Sequence, residues 1–331
     1  MVYKIIILGA NDKYNLEWFY QYNFIKYYNF QVIPILYNLY GYFYPNYNLF
    51  SRLYLARYNR KVSKIVEKTK PDITLIFKGI YLTEQTMTHI RKFCNLIIHY
   101  MTDEAEGNNF ERSKKVSLLS DYVFTSMEKF IPLYKKLGIN AKYLGYACEP
   151  DIHRKLPFNI NDYRHFSCDI CFIGTYRKER EYLLSKLKNY NLKIFGPGWF
   201  LRCKNKQLRK KIMGRSVKGH ELTKAYNYSK IAINIFKKID ALFGMKANMR
   251  VYEALGCGSF LLTDYANGIE DLFQIGKEII IYNNDDLLEK IDYYLSNKKE
   301  REEIAIKGQE KVYKNYTYWH RINEILKTIK W

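Results

Sequence analysis

The stretch Asn248-Met249-Arg250-Val251-Tyr252-Glu253-Ala254-Leu255-Gly256-Cys257-Gly258-Ser259-Phe260-Leu261-Leu262-Thr263-Asp264 decides how the chain is read. Val251, Ala254 and Leu255 recur at i, i+3 and i+4, which predicts one apolar helical face, and Arg250 and Glu253 are neighbours on the same helix. Gly256 and Gly258 are expected to stop that helix, because glycine accepts the left-handed conformation without a Cβ clash. Ser259 to Thr263 is then an apolar run of strand length. The first turn of such a helix offers free N–H groups and a positive dipole end to phosphate, and Arg250 adds a forked donor. Glu253 accepts hydrogen bonds only, which suits it to gripping two sugar hydroxyls. A surface Arg–Glu pair on an ordinary helix is the other reading of these residues.

With 331 residues the chain has room for two domains with sizeable cores. Hydrophobic residues at 48% and charged residues at 26% make a globular balance. No apolar run approaches the roughly 18 residues of a membrane span. The opening Met-Val-Tyr-Lys-Ile-Ile-Ile-Leu-Gly reads as a core strand and not as a signal peptide, so a cytoplasmic protein is expected. Six scattered cysteines fit reduced thiols. Cys168 and Cys171, three apart on a strand, are expected on opposite faces and without a shared metal. The net charge of +21 favours polyanions such as nucleic acid, anionic membrane or acidic glycan, although Lys, Asn, Ile and Tyr rise together as in a biased genome.

Strand and helix signals alternate along the first 150 residues. Strands are expected at Val2–Leu8, Phe30–Leu36, Ile73–Phe77, Leu96–Tyr100, Asp121–Phe124 and Ala141–Leu144. A long helix fills Leu49–Lys70 up to Pro71, and another falls near Glu84–Phe93. Residues 148–164 read as a linker. A second series follows, with strands at Cys168–Gly174, Lys193–Phe195, Ile231–Ile235, Ser259–Thr263 and Glu278–Tyr282. The alternation predicts two parallel, doubly wound α/β domains, 1–150 and 151–315, and a terminal helix, 316–331, that can pack back on the first.

No Gly-x-Gly-x-x-Gly or Walker pattern supports hydride transfer or P-loop chemistry. Gly174-Thr175 ends a strand before a helix carrying Arg177 and Arg180, so its backbone can approach a diphosphate; a plain βα turn is the alternative. Asp103, after the Leu96–Tyr100 strand, is a candidate carboxylate facing the cleft, or a helix cap. Gly219-His220 begins a helix and can touch a base or phosphate. Residues 182–220 hold 11 Lys or Arg and no acid, read either as a docking face for an anionic membrane or acceptor or as a solvated surface. Residues 14–58 hold 18 aromatics, suited to stacking on sugar rings, to a membrane interface, to base stacking or to packing between helix and sheet.

The Asn248–Asp264 stretch, followed by Gly-Ile-Glu-Asp-Leu-Phe and Gly-Lys-Glu-Ile, closely resembles the C-terminal half of CgeB-type (spore maturation) glycosyltransferases, a branch of the two-domain GT-B transferases. The resemblance is strongest from Cys171 to Asp264 and takes in Leu144-Gly-Tyr-Ala-Cys-Glu-Pro-Asp-Ile-His153. It implies a C-terminal domain holding a UDP- or GDP-linked sugar and an N-terminal domain receiving a glycan, lipid-linked or protein acceptor. By that analogy Glu253 holds the ribose hydroxyls, and Asn248 and Arg250 hold the diphosphate. Gly174 and Thr175, with Arg180 behind them, lie under the phosphates, and Gly219 and His220 approach the base. Asp103, Arg250 and Glu253 are the candidate catalytic residues. The nucleotide sugar is a co-substrate; no metal or other cofactor is expected, and no nucleic acid. Peripheral contact with the inner face of an anionic membrane fits the basic stretch. Related retaining enzymes often carry Glu eight positions before the ribose Glu, where this chain has Met245, which leaves the donor sugar and stereochemistry open. The rivals are a non-catalytic coat or glycan-binding protein, a nucleic-acid-binding protein, and a GT-B sugar-nucleotide epimerase.

Overall fold

The computed structural model describes residues 2–37, 49–104 and 108–331. The chain divides into two compact units. The first comprises Met1–Gly145, Leu242–Met245 and Arg321–Trp331, and the second comprises Tyr146–Ala241 and Lys246–His320.

In the first unit, β1 (Tyr3–Ala10), β2 (Phe30–Tyr37), β3 (Ile73–Phe77), β4 (Leu96–Met101), β5 (Tyr122–Thr125) and β6 (Ala141–Tyr143) form one sheet in the order β2-β1-β3-β4-β5-β6. Every pairing is parallel. Strands covered on both faces must be apolar almost throughout, and Ile5–Leu8 and Ile73–Phe77 are buried at every position. The helix Leu49–Thr69 packs Val62 and Val66 on this sheet and ends where Pro71 forbids another turn. The aromatic stretch largely packs: Phe19, Tyr20, Phe24 and Tyr58 are buried, while Trp18 stacks on Tyr22 with centroids 5.2 Å apart. Its central part, 38–48, lies outside the described residues. The last helix of the chain is Tyr318–Thr328. Its end and the residues beyond it return to the first unit, where Tyr28 Oη donates to Asn323 Oδ1 at 2.9 Å and Tyr3 meets Trp331 edge-on at 4.8 Å.

In the second unit, β7 (Cys168–Ile173), β8 (Leu192–Phe195), β9 (Ser229–Asn234), β10 (Leu261–Asp264) and β11 (Ile280–Tyr282) run parallel in the order β11-β10-β9-β7-β8. The core between this sheet and its helices is built from Ile170, Phe172, Ile194, Trp199, Ile231 and Leu262. Cys168 and Cys171 are both buried free thiols; Asn191 O accepts from both Asp169 N and Ile170 N, so the strand is irregular at its start. The segment read as a linker contains a helix, Ile160–Phe166, capped by Asn159. Among the described residues no helix is long and apolar enough to cross a membrane.

Candidate functional site

In each sheet the strand order reverses, between β1 and β3 in the first unit and between β7 and β9 in the second. In open α/β sheets, ligands bind outside the carboxyl ends of the strands at such points.

In the second unit Asn248 follows this logic at the atomic level. Its Oδ1 accepts from Val251 N at 3.3 Å, capping the helix Met249–Gly256, and its Nδ2 donates to Asn234 Oδ1 at 3.1 Å, at the carboxyl end of β9. The helix therefore starts where the strands end. Arg250 Nη1 donates to Glu253 Oε2 on the same helix face. The Glu253 side chain is 3% exposed and that of Arg250 is 30% exposed, so the pair opens to solvent on its arginine side. Burial raises the Glu253 pKa above the ordinary carboxylate value, opposed by Arg250 and by Lys218.

His153 completes this arrangement and carries no signal in the sequence. Its Nδ1 accepts from Glu149 N at 2.9 Å, which leaves the ring proton on Nε2, 3.8 Å from Glu253 Oε1. Burial, assisted by Arg250 and His220, lowers its pKa to about 3, so the ring is neutral. The glycines of the signature hold the helix against this segment. Gly256 is the last helical residue and not a left-handed stop; a Cβ there would lie 2.9 Å from Cys148 Cβ and 3.0 Å from His153 Cβ. Of the two, Gly258 takes the left-handed turn, at φ +66°. Gly219 and His220 start the helix Gly219–Asn227, whose Thr223 donates to Ile152 O at 2.8 Å. The charges of Arg250 and His220 act on His153, and those of Arg250 and Lys218 act on Glu253. Asn248, Arg250 and Glu253 thus share the start of one helix, with His153 beside Glu253.

Gly174 and Thr175 follow β7, at the reversal point. Arg180 spans the reversal point itself. It donates from Nη2 to Ile235 O at 2.7 Å, from Nε to the same carbonyl at 3.2 Å, and from Nη1 to Thr175 O at 2.9 Å. Burial lowers its pKa to about 10. Its donors thus stitch the strand ends together beneath any ligand. Replacing it with methionine leaves the buried Ile235 carbonyl without its donor, at roughly 1–3 kcal/mol, and also removes the partly buried bond to Thr175 O. Chemical denaturation of Arg180→Met should show a loss of about 3 kcal/mol. Unchanged stability with weakened nucleotide binding would make it a phosphate ligand instead.

Asp103 lies in the first unit, at the carboxyl edge of its sheet, and pairs with Lys78. The Lys78 backbone is left-handed at φ +60°, and its carbonyl accepts from buried His99 Nε2 at 3.1 Å. Glu17, also buried, accepts from Ala10 N at 3.0 Å at the end of β1. These carboxylates and the lysine flank the other reversal point. The neighbouring Glu104 is buried and accepts from Thr125 Oγ1, and burial raises its pKa to about 8. An acid whose folded pKa is raised holds a proton that the unfolded chain releases. Its contribution is therefore lost as pH rises from 4.5 to about 8. Glu104→Gln should raise thermal stability at pH 8 by on the order of 2–4 kcal/mol, with the gain vanishing near pH 4.5. A pH-independent effect would contradict this.

The comparisons with known proteins point the same way. Residues 177–327 match the family described as "Glycosyl transferase-like". An alpha-glucosyltransferase solved with UDP and DNA superposes with a TM-score of 0.72 over 100% of both chains, at 13% identity. HepE from Anabaena, in complex with UDP-glucose, gives 0.68 at 10% identity over 99% of each chain. Sucrose-phosphate synthase from Thermosynechococcus elongatus gives 0.68 at 9% identity, over 99% of this chain and 98% of that one. The chain has the GT-B fold. No curated protein matches it in sequence. The family match falls on the GT-B unit that carries Arg180, His220, Asn248, Arg250 and Glu253, and together with the fold it supports a glycosyltransferase.

Proposed function

We propose that the protein is a glycosyltransferase of the CgeB type, taking a sugar from a UDP-linked donor held by its C-terminal unit. The observation that carries this reading is the Arg250–Glu253 pair, sunk at the first turns of a capped helix at the strand ends. Glu253, buried and oriented by Arg250 and His153, accepts from the ribose hydroxyls. The helix N-terminus and Arg250 face the diphosphate. Glycosyl transfer passes through an oxocarbenium-like transition state and leaves negative charge on the departing diphosphate. Donors fixed before the reaction stabilise that charge without reorganising. Uridine is preferred to guanosine because the structural neighbours are solved with UDP or UDP-glucose.

In this reading the acceptor, a glycan, lipid-linked or protein group, binds at the reversal point of the first unit, and Asp103 is the group that takes up its proton. Transfer is proposed to be metal-independent and to retain configuration, with Met245 standing where related retaining enzymes carry a glutamate. Thermal shift with UDP, GDP, ADP and their sugar conjugates tests the donor. A ligand at 100 times its Kd adds about 2.7 kcal/mol of stability. A shift confined to uridine nucleotides, with UDP released from the matching UDP-sugar, supports the reading; no shift with any nucleotide favours a non-catalytic glycan-binding protein.

A further inference from the structure

Next to the turn that follows β7, the chain presents a basic face with two exposed apolar side chains. The short helix Trp199–Arg202 buries Trp199, whose Nε1 donates to Gly174 O at 2.7 Å, and turns the next two residues outward. Phe200 is 67% exposed and Leu201 is 88% exposed. Beside them is a concave space of about 800 Å³ lined by Arg177, Lys178, Arg202, Lys204 and Arg209, with Glu179 the acid on its wall. Arg209 stacks its guanidinium over the Phe200 ring, 6.0 Å from the centroid. The loop is held in place from below: Glu181 accepts from Lys204 N at 2.7 Å, from Asn205 N at 2.8 Å and from Tyr176 Oη at 2.8 Å. Partial burial pushes the Glu181 pKa up, and these hydrogen bonds together outweigh it and hold the carboxyl below its ordinary value.

A solvated basic surface accounts for the cations but not for two adjacent apolar side chains standing in water among them. A nucleic acid or an acidic glycan neutralises the charge and can stack on Phe200, yet offers Leu201 nothing. A bilayer with acidic headgroups satisfies both, because apolar tips enter the interface while the cations meet phosphate. We propose that this face docks the protein on an anionic lipid membrane, with Phe200 and Leu201 inserted and the surrounding arginines and lysines at the headgroups.

Sedimentation of the full chain with vesicles of phosphatidylcholine alone, or of phosphatidylcholine with roughly 30% phosphatidylglycerol, tests this. Binding is expected only with the acidic lipid. Each basic residue near such a surface contributes about 1 kcal/mol, or about fivefold, so Arg202→Ala with Arg209→Ala should weaken binding roughly 25-fold. Leu201→Ser, which leaves every charge in place, should weaken it about tenfold. Thermal shift by UDP should be unchanged in both variants, which separates this face from the donor site. No binding to acidic vesicles would overturn the proposal. So would binding indifferent to Leu201→Ser, or binding to DNA at the same salt that outcompetes the vesicles.

Discussion

Glu253→Ala is expected to lose at least about a hundredfold in affinity for UDP, measured by calorimetry, while remaining folded. The carboxylate is buried, and Arg250 holds one of its oxygens in place. Two hydrogen bonds from ribose hydroxyls to a charged acceptor are worth about 1.5–3 kcal/mol each, and about 1.4 kcal/mol is tenfold in affinity. Glu253→Gln keeps the shape but offers a single acceptor oxygen and no charge, so it should retain part of the binding. The order wild type, Gln, Ala is the diagnostic outcome. Equal affinity in all three would remove Glu253 from the donor site. Stability moves separately, because Arg250 loses its charged partner in both variants but its side chain keeps access to solvent.

The second large effect concerns the turn that follows β7, at the reversal point of the same unit. Gly196 follows β8 with φ +138°, a conformation that side chains rarely adopt, and a Cβ there would lie 2.1 Å from Gly174 O. That carbonyl belongs to the turn at the end of β7 and already accepts from Trp199 Nε1. Gly196 N in turn donates to Arg215 O at 3.0 Å, so the loop cannot step aside without losing a bond of its own. Backbone strain and overpacking each cost of order 1–3 kcal/mol, and Gly196→Ala should therefore destabilise by about 4 kcal/mol in urea denaturation. Gly214→Ala is the matched control. It is also left-handed, at φ +71°, but a Cβ there meets nothing within 4 Å, so only the strain of about 1 kcal/mol remains. Similar losses at both positions would show that the contact with Gly174 does not matter.

The fold is largely legible because a parallel sheet covered on both faces writes itself as apolar runs bounded by turn residues. Ile73–Phe77 and Glu84–Phe93 stand at the residues expected for them. Where a boundary differs, a specific hydrogen bond moves it. β10 starts at Leu261 and not at Ser259, because the N–H groups of Gly258 and Ser259 are used to close the preceding helix on Leu255 O and Ala254 O. The helix Ile160–Phe166 escapes a sequence reading because its start signal is the side chain of Asn159, in a segment whose prolines and polar groups look like a linker.

The site is legible only where its geometry is local. Arg250 and Glu253, three apart on one helix, meet as their spacing requires. His153 meets Glu253 across the fold from a distant position in the chain, and no periodicity encodes that. Lys78 is similar: its pairing with Asp103 depends on two strands being neighbours and on a left-handed turn at a non-glycine residue. The basic stretch between 182 and 220 shows its charge in the sequence, but not the exposure of Phe200 and Leu201 within it.

The central claim, that the Arg250–Glu253 pair is a nucleotide-sugar site, is tested most directly by a crystal structure of the protein grown with UDP. The expected result is nucleotide density in the second unit, with both ribose hydroxyls within hydrogen-bond distance of the Glu253 carboxylate and the diphosphate over the first turn of the helix Met249–Gly256. Nucleotide bound elsewhere, or with its ribose turned away from Glu253, would contradict the claim.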